Sequence, residues 1–315
     1  MIGLSLIPWL LIGLALAAGG AVGVAWVFAR LWCRPTRTLP GKDPSSLGLE
    51  FEAVRIPSRK GPSAHGWFVP GNGLAQRGPA LVLVHGWSRN ATQLLHLVPP
   101  LHERGFSVLL FDARGHGRSD SDGPITIRKF AEDALAAVEY LARRTEVDPD
   151  RIGVVGHSIG ASSVILAASM DERIRAVVSS SAFADPAVLT GRVFRRLQLP
   201  AFPLLPLVQK FVEGWLGTAM EEVSPMRKVG QIAAPLLLIH GEGDRFIPSS
   251  DLWILHDRAT SQDVQFWLVP KRDHSSVLFH PGVGPRIAGF LTEALASAAS
   301  MDNSGHAVRL GASEG

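Results

Sequence analysis

Nucleophilic catalysis needs a hydroxyl that a base can deprotonate and a substrate can reach. Ser158 sits in such a setting, within Gly156-His157-Ser158-Ile159-Gly160 and directly after the apolar run Ile152–Val155. A strand turning sharply into a helix holds its turn residue in a strained conformation, and small neighbours let strand and helix pass closely. Ala161–Met170 follows with helix-compatible apolar spacing, so the pattern predicts a strand, a tight turn and a helix with the Ser158 hydroxyl at the apex. The base is expected to be a histidine, the side chain that titrates nearest neutral pH. The chain has 11 histidines, so position decides. His274, in Pro270-Lys271-Arg272-Asp273-His274-Ser275, follows the last predicted strand and emerges at the same sheet edge as Ser158. His280 is its nearest rival, further into the loop, while His85, His157 and His240 fall at strand ends or inside motifs and read as packing or supporting groups. For the acid that orients the base, Asp244 in His240-Gly241-Glu242-Gly243-Asp244 fits best, with Glu242 and Asp185 as alternatives.

Acyl transfer also needs donors for a developing oxyanion. The N–H of Ile159, opening the helix after Ser158, is one candidate. The N–H of Trp87, in the loop His85-Gly86-Trp87-Ser88-Arg89-Asn90, is the other, with Gly86 allowing a close backbone approach. The Trp87 side chain reads either as a pocket wall or as ordinary packing.

These groups need a sheet whose strand ends meet at one edge. Leu49–Ile56 and His65–Val69 read as an antiparallel opening pair. Beyond them strands at Ala80–Val84, Ser107–Phe111, Ile152–Val155, Ile174–Val178, Leu236–Ile239 and Val264–Val269 alternate with helices at Ala91–Glu103, Ile127–Arg144, Ser250–Ala259 and Pro285–Ala299. That alternation predicts an α/β fold: a mostly parallel twisted sheet with helices on both faces. Roughly fifty residues separate the strand ending near Ser179 from Leu236, too long for an ordinary connection. There Arg192, Arg195, Arg196 and Lys210 mix with Phe194, Leu197, Phe202 and Trp215, and Pro200, Pro203 and Pro206 cut the chain into short pieces. This segment, about 183–230, is expected to form a helical lid, packed on the domain or resting on a bilayer surface.

Ahead of this domain, Ile2–Ala29 carries no charge, longer than the ~20 residues that cross a bilayer. A secretory signal would have a basic start and an apolar stretch of only ~7–15 residues, so residues 1–32 are expected to be a transmembrane anchor, followed by a proline-bearing linker at 33–48. Arg30, Arg34, Arg37 and Lys42 all follow the segment, which places the catalytic domain in the cytoplasm. The single cysteine, Cys33, excludes a disulfide framework, and the Leu31-Trp32 before it lacks the small residues of a lipoprotein signal. The formal charge of +3 is too small and too scattered to mark a nucleic-acid surface. The α/β domain is expected over 49–299, with a flexible tail at 300–315, and no signal fixes an oligomeric state.

In its motifs the chain resembles the α/β-hydrolase superfamily: HGW at 85–87, DARGHGRS at 112–119, GHSIGA at 156–161, HGEGDRFIP at 240–248 and DHS at 273–275, in order across roughly 50–297. It looks most like small serine hydrolases with an N-terminal membrane anchor, relatives of the prolyl-oligopeptidase catalytic domain. The resemblance implies the α/β-hydrolase fold, esterase, thioesterase, lipase or peptidase activity, and no cofactor. It also implies a structural role for Asp112 and its loop. A serine at 158 separates the chain from the dehalogenase and epoxide-hydrolase branches, whose nucleophile is an aspartate. The expected partners are a small-molecule or lipid acyl substrate and the bilayer.

Overall fold

The computed structural model describes residues 6–58, 61–72 and 77–310. Eight strands form one sheet: β1 (Glu52–Ile56), β2 (Ala64–Val69), β3 (Gly78–Val84), β4 (Ser107–Asp112), β5 (Val147–His157), β6 (Ile174–Ser180), β7 (Leu236–Gly241) and β8 (Val264–Val269). Their order is β1-β2-β4-β3-β5-β6-β7-β8, with β1, β2 and β4 antiparallel in sequence and every later pairing parallel. Side chains alternate between the sheet faces. Val82 and Val84 therefore face one core, with Phe130 and Val138, while Leu81 and Leu83 face the other, with Val98 and Leu291.

Nine α-helices occur among the described residues: α1 (Leu6–Trp32), α2 (Val98–His102), α3 (Ile127–Ala142), α4 (Ile159–Ala168), α5 (Pro186–Arg196), α6 (Leu204–Leu216), α7 (Pro225–Lys228), α8 (Ser250–Arg258) and α9 (Val283–Leu310). The helix expected over Ala91–Glu103 is instead a 3-10 segment, Ala91–Leu97, capped by Asn90 and followed by the short α2. Pro99 and Pro100 lack the N–H that a continuous helix through this stretch would need. Pro206, expected to interrupt the insertion, falls in the first turn of α6, where its missing N–H has no helical partner to lose. The backbone of α9 continues through the stretch expected to be a flexible tail, and 311–315 lie outside the described residues.

The 33–48 linker is laid along the domain. Thr36 donates its N–H to Ser88 Oγ at 2.9 Å, Arg37 Nε donates to the Gly117 carbonyl at 2.7 Å, and Asn90 Nδ2 donates to the Thr38 carbonyl at 3.0 Å. At the exit of β4, the Asp112 carboxylate accepts the Ala91 and Arg118 N–H groups at 2.8 and 2.9 Å. A Cβ on Gly117 would lie 2.0 Å from that carboxylate, and its φ is +47°, so the loop requires glycine there.

Next to this loop, the buried Arg114 pairs with the buried Asp133 of α3, Nε donating to Oδ1 at 2.8 Å. Asp122 and Glu132 also reach the guanidinium, at 3.1 and 3.4 Å, but from more exposed positions, so removing Asp133 leaves the buried charge only partly compensated. Asp133→Ala should therefore cost about 3 kcal/mol, the low end for a broken buried pair, read as a lowered urea midpoint at unchanged slope.

Candidate active site

Ser158 follows β5 and takes the N-cap position of α4 with φ +57° and ψ −122°. That backbone is strained, at a typical cost of about 1–3 kcal/mol, and persists only where its surroundings enforce it. Here its N–H donates to the Ser180 carbonyl at 2.9 Å, and its carbonyl accepts the Ser162 N–H at 3.0 Å. The flanking glycines are sterically required. A Cβ on Gly156 would lie 2.3 Å from the Gly160 carbonyl oxygen, and one on Gly160 would lie 2.3 Å from that of Val84.

His274, after β8, places Nε2 2.9 Å from Ser158 Oγ and Nδ1 2.7 Å from Asp244 Oδ2. A carboxylate only accepts, so Nδ1 carries the proton and Nε2 offers its lone pair to the Ser158 hydroxyl. The other Asp244 oxygen accepts the Phe246 and Ile247 N–H groups at 2.9 and 2.8 Å. Burial pushes the Asp244 carboxyl up, but hydrogen bonds from His240 and His274 outweigh it, holding the group well below the usual carboxylate range. His240 donates Nε2–H to the Ile247 carbonyl at 2.9 Å and so closes the turn that carries Asp244.

The rival groups are engaged elsewhere. Asp185 caps α5, accepting the Ala187 and Val188 N–H groups and the Ser224 hydroxyl. Glu242 is exposed and accepts the Lys271 N–H. His280 stacks edge-on against Trp267 and accepts the Gly282 N–H at Nδ1.

Trp87, Ile159 and Ser158 line one cavity of about 300 Å³. A Cβ on Gly86 would lie 3.3 Å from Ser158 Cβ, so the backbone before Trp87 runs against the serine. The Gly86 N–H is consumed by Gln93 Oε1 at 2.7 Å. His85 braces this loop at both ends, donating Nδ1–H to the Gly86 carbonyl and accepting the Ala113 N–H at Nε2. Gln93 and its contact carried no sequence signal, being a lone glutamine outside every motif. The Trp87 indole both walls the cavity and stacks over Phe130 at 6.4 Å.

Three histidines around the site are held neutral mainly by burial, with His85 near 4, His116 near 3 and His157 near 3. In the unfolded chain each titrates at its ordinary value near 6.5. Acid therefore protonates the unfolded state first, and stability falls as pH drops from about 6.5 toward 4, by on the order of 3 kcal/mol per histidine. Asp244 acts in the same sense at lower pH: its depressed native value stabilises the fold above the unfolded carboxylate range, and that contribution is lost as pH falls below it. Melting temperature should thus decline between pH 6.5 and 4, and His116→Gln should flatten that decline.

A serine strained at a strand-to-helix corner, on a sheet of this order, with an acid after β7 and a histidine after β8, is an α/β-hydrolase arrangement. Comparison with known proteins places the chain within that class. The uncharacterized protein YfhR of Escherichia coli (strain K12) is 30% identical over 244 residues, covering 76% of this chain and 78% of its own. The uncharacterized protein Rv2307c of Mycobacterium tuberculosis is 28% identical over 264 residues, covering 83% and 85%. A family model described as serine aminopeptidase, S33, matches residues 76–226. Among solved structures, the Pyrococcus furiosus esterase Pf2001 superposes with a TM-score of 0.69 at 24% identity, over 83% of this chain and 98% of its own. The chain belongs to the α/β-hydrolase superfamily, in one family with YfhR, and is a hydrolase.

Proposed function

We propose that the protein is a membrane-anchored serine hydrolase cleaving carboxylic esters or thioesters of acyl groups through an acyl-enzyme on Ser158. The hydrogen-bonded run Ser158–His274–Asp244, opening onto an apolar cavity, carries this reading. In the first half-reaction Ser158 Oγ attacks the acyl carbonyl carbon while His274 Nε2 takes the hydroxyl proton. The tetrahedral oxyanion is received by the N–H groups of Trp87 and Ile159, the latter at the positive end of α4. Collapse breaks the acyl–oxygen or acyl–sulfur bond, and His274 returns the proton to the departing alcohol or thiol. Water, deprotonated by the same histidine, then releases the acid and regenerates Ser158. Asp244 holds the histidine tautomer and offsets the charge of the imidazolium. The mechanism calls for no cofactor, and the insertion bearing α5 and α6 serves as the lid.

The aminopeptidase description of the family model suggests a second reading, cleavage of peptide amides. A free N-terminal ammonium buried at the site would need a carboxylate partner. Among the described residues no Asp or Glu lines the cavity, and its formally charged lining residue is Arg89. That lining favours neutral acyl groups. The fold could also serve binding without turnover.

A kinetic panel separates the three readings. Wild-type protein should hydrolyse p-nitrophenyl esters at least a hundredfold faster than amino-acid p-nitroanilides. The reverse preference would establish the peptidase, and no turnover of either would establish a binding protein.

α1 provides the anchor: Ile7–Trp32 has a mean hydropathy of 2.2, is long and apolar enough to cross a membrane, and is mostly exposed on the protein. The basic residues after it orient the hydrolase domain toward the cytoplasm. Protease digestion of that domain only from the opposite side of sealed vesicles would reverse the assignment.

A further inference from the structure

Two residues lining the cavity around Ser158 come from ahead of the hydrolase domain: Trp32 and Cys33, at the end of the N-terminal apolar helix. Ala25, Ala29 and Cys33, spaced four apart, form a buried stripe on an otherwise exposed helix. That stripe packs toward α6, and Phe28 meets Phe194 of α5 edge-on at 4.9 Å. The Cys33 carbonyl accepts the Ile125 N–H at 2.7 Å, and Ile125 also lines the cavity. Three residues on, Thr36 is bonded to Ser88, the neighbour of Trp87. A tether would leave the hydrolase domain free to reorient; these contacts fix the helix to the site.

The dimensions of the helix set the depth of the site. Residues 6–24, the described helix ahead of its first buried residue, Ala25, extend ~28 Å at 1.5 Å per residue. A hydrocarbon core is ~30 Å thick. The exposed part of the helix therefore about fills that core, and the packed turns that follow it hold α6 and the cavity at the membrane surface. The lid surface fits that position. Phe202 is 84% exposed and Leu197 57% exposed, beside the exposed Arg195 and Arg196. Apolar and basic groups together are what an anionic interface receives.

We propose that the last turn of the anchor helix is the acyl-chain wall of the active site, and that the substrate is a single-chain, membrane-resident ester. Its acyl chain enters from the leaflet and lies between Trp32 and Cys33 on one side and Val212 and Leu216 of α6 on the other. A cavity of about 300 Å³ is at the small end of ligand sites, suited to one chain rather than two. The proposal rests on the serine-hydrolase reading and adds to it the source of the substrate and the residues that measure it.

The test uses the full chain in nanodiscs containing phosphatidylglycerol. The ratio of kcat/KM for p-nitrophenyl laurate to that for p-nitrophenyl butyrate is measured for wild type, Trp32→Ala and Cys33→Leu. The ratio cancels any loss of folded enzyme. Trp32→Ala removes a wall from the long chain and should lower the ratio about tenfold, and Cys33→Leu fills the cavity and should lower it about fivefold. A purely structural helix end would lower both esters together, so ratios within twofold of wild type in both variants overturn the wall. Monolauroylglycerol supplied in the same nanodiscs tests entry from the leaflet. Phe202→Asp should lower its turnover relative to butyrate at least fivefold, and an unchanged ratio overturns that entry. Wild-type protein that no fluorophosphonate labels would instead overturn the underlying serine-hydrolase reading.

Discussion

Ser158→Ala is expected to lower ester turnover by about 10⁶-fold, the scale on which removal of a triad serine acts. The Oγ of Ser158 is the atom His274 Nε2 faces at 2.9 Å, and no neighbouring hydroxyl replaces it. Ser275 also lines the cavity, but the lone pair of His274 is directed at Ser158. The variant should remain folded, because the bonds that hold the corner run through the Ser158 backbone N–H and carbonyl. A companion substitution exposes the strain stored there. Ser158→Gly should be equally inactive yet more stable by about 1 kcal/mol, since glycine adopts the φ of +57° without the steric cost carried by serine. A raised melting temperature alongside lost turnover would show that the fold gives up stability to present this hydroxyl.

The second large effect is expected for Asp244→Asn, about 10⁴-fold in kcat. The direction follows from the hydrogen bonds of the turn. One Asp244 oxygen accepts two backbone N–H groups, from Phe246 and Ile247. An asparagine must keep its carbonyl oxygen at that position, so its NH2 replaces the oxygen facing His274 Nδ1. A donor there turns Nδ1 into an acceptor and moves the ring proton to Nε2, which can then no longer accept from Ser158. Binding should survive, so KM should change far less than kcat. An equal loss in both would point to collapse of the turn.

Much of this arrangement was legible in the sequence because it is local. The run Ile152–Val155, two small residues and Ser158 spell a strand, a corner and a helix. Asp244 and His274 each lie just past an apolar run that must be a strand, and parallel pairing of β7 and β8 then carries both to one edge. What the sequence left open depends on contacts between distant segments. Asp185 offers the same carboxylate as Asp244 in the sequence, but it caps α5, a role that any aspartate before Pro186 could fill. The segment after Asn90 has helix-like apolar spacing, yet Pro99 and Pro100 and the Asn90 cap turn most of it into a 3-10 stretch. Least legible of all was the end of α1. Trp32 and Cys33 read as the close of an apolar span, and nothing in their periodicity says that they face Ser158 more than a hundred residues later.

The central claim is that Ser158 is the nucleophile of a hydrolytic site, and fluorophosphonate labelling of the full chain tests it most directly. After proteolysis and mass spectrometry the adduct should lie on Ser158 alone, and Ser158→Ala should abolish it. An adduct on another residue, or labelling that persists in Ser158→Ala, would contradict the account.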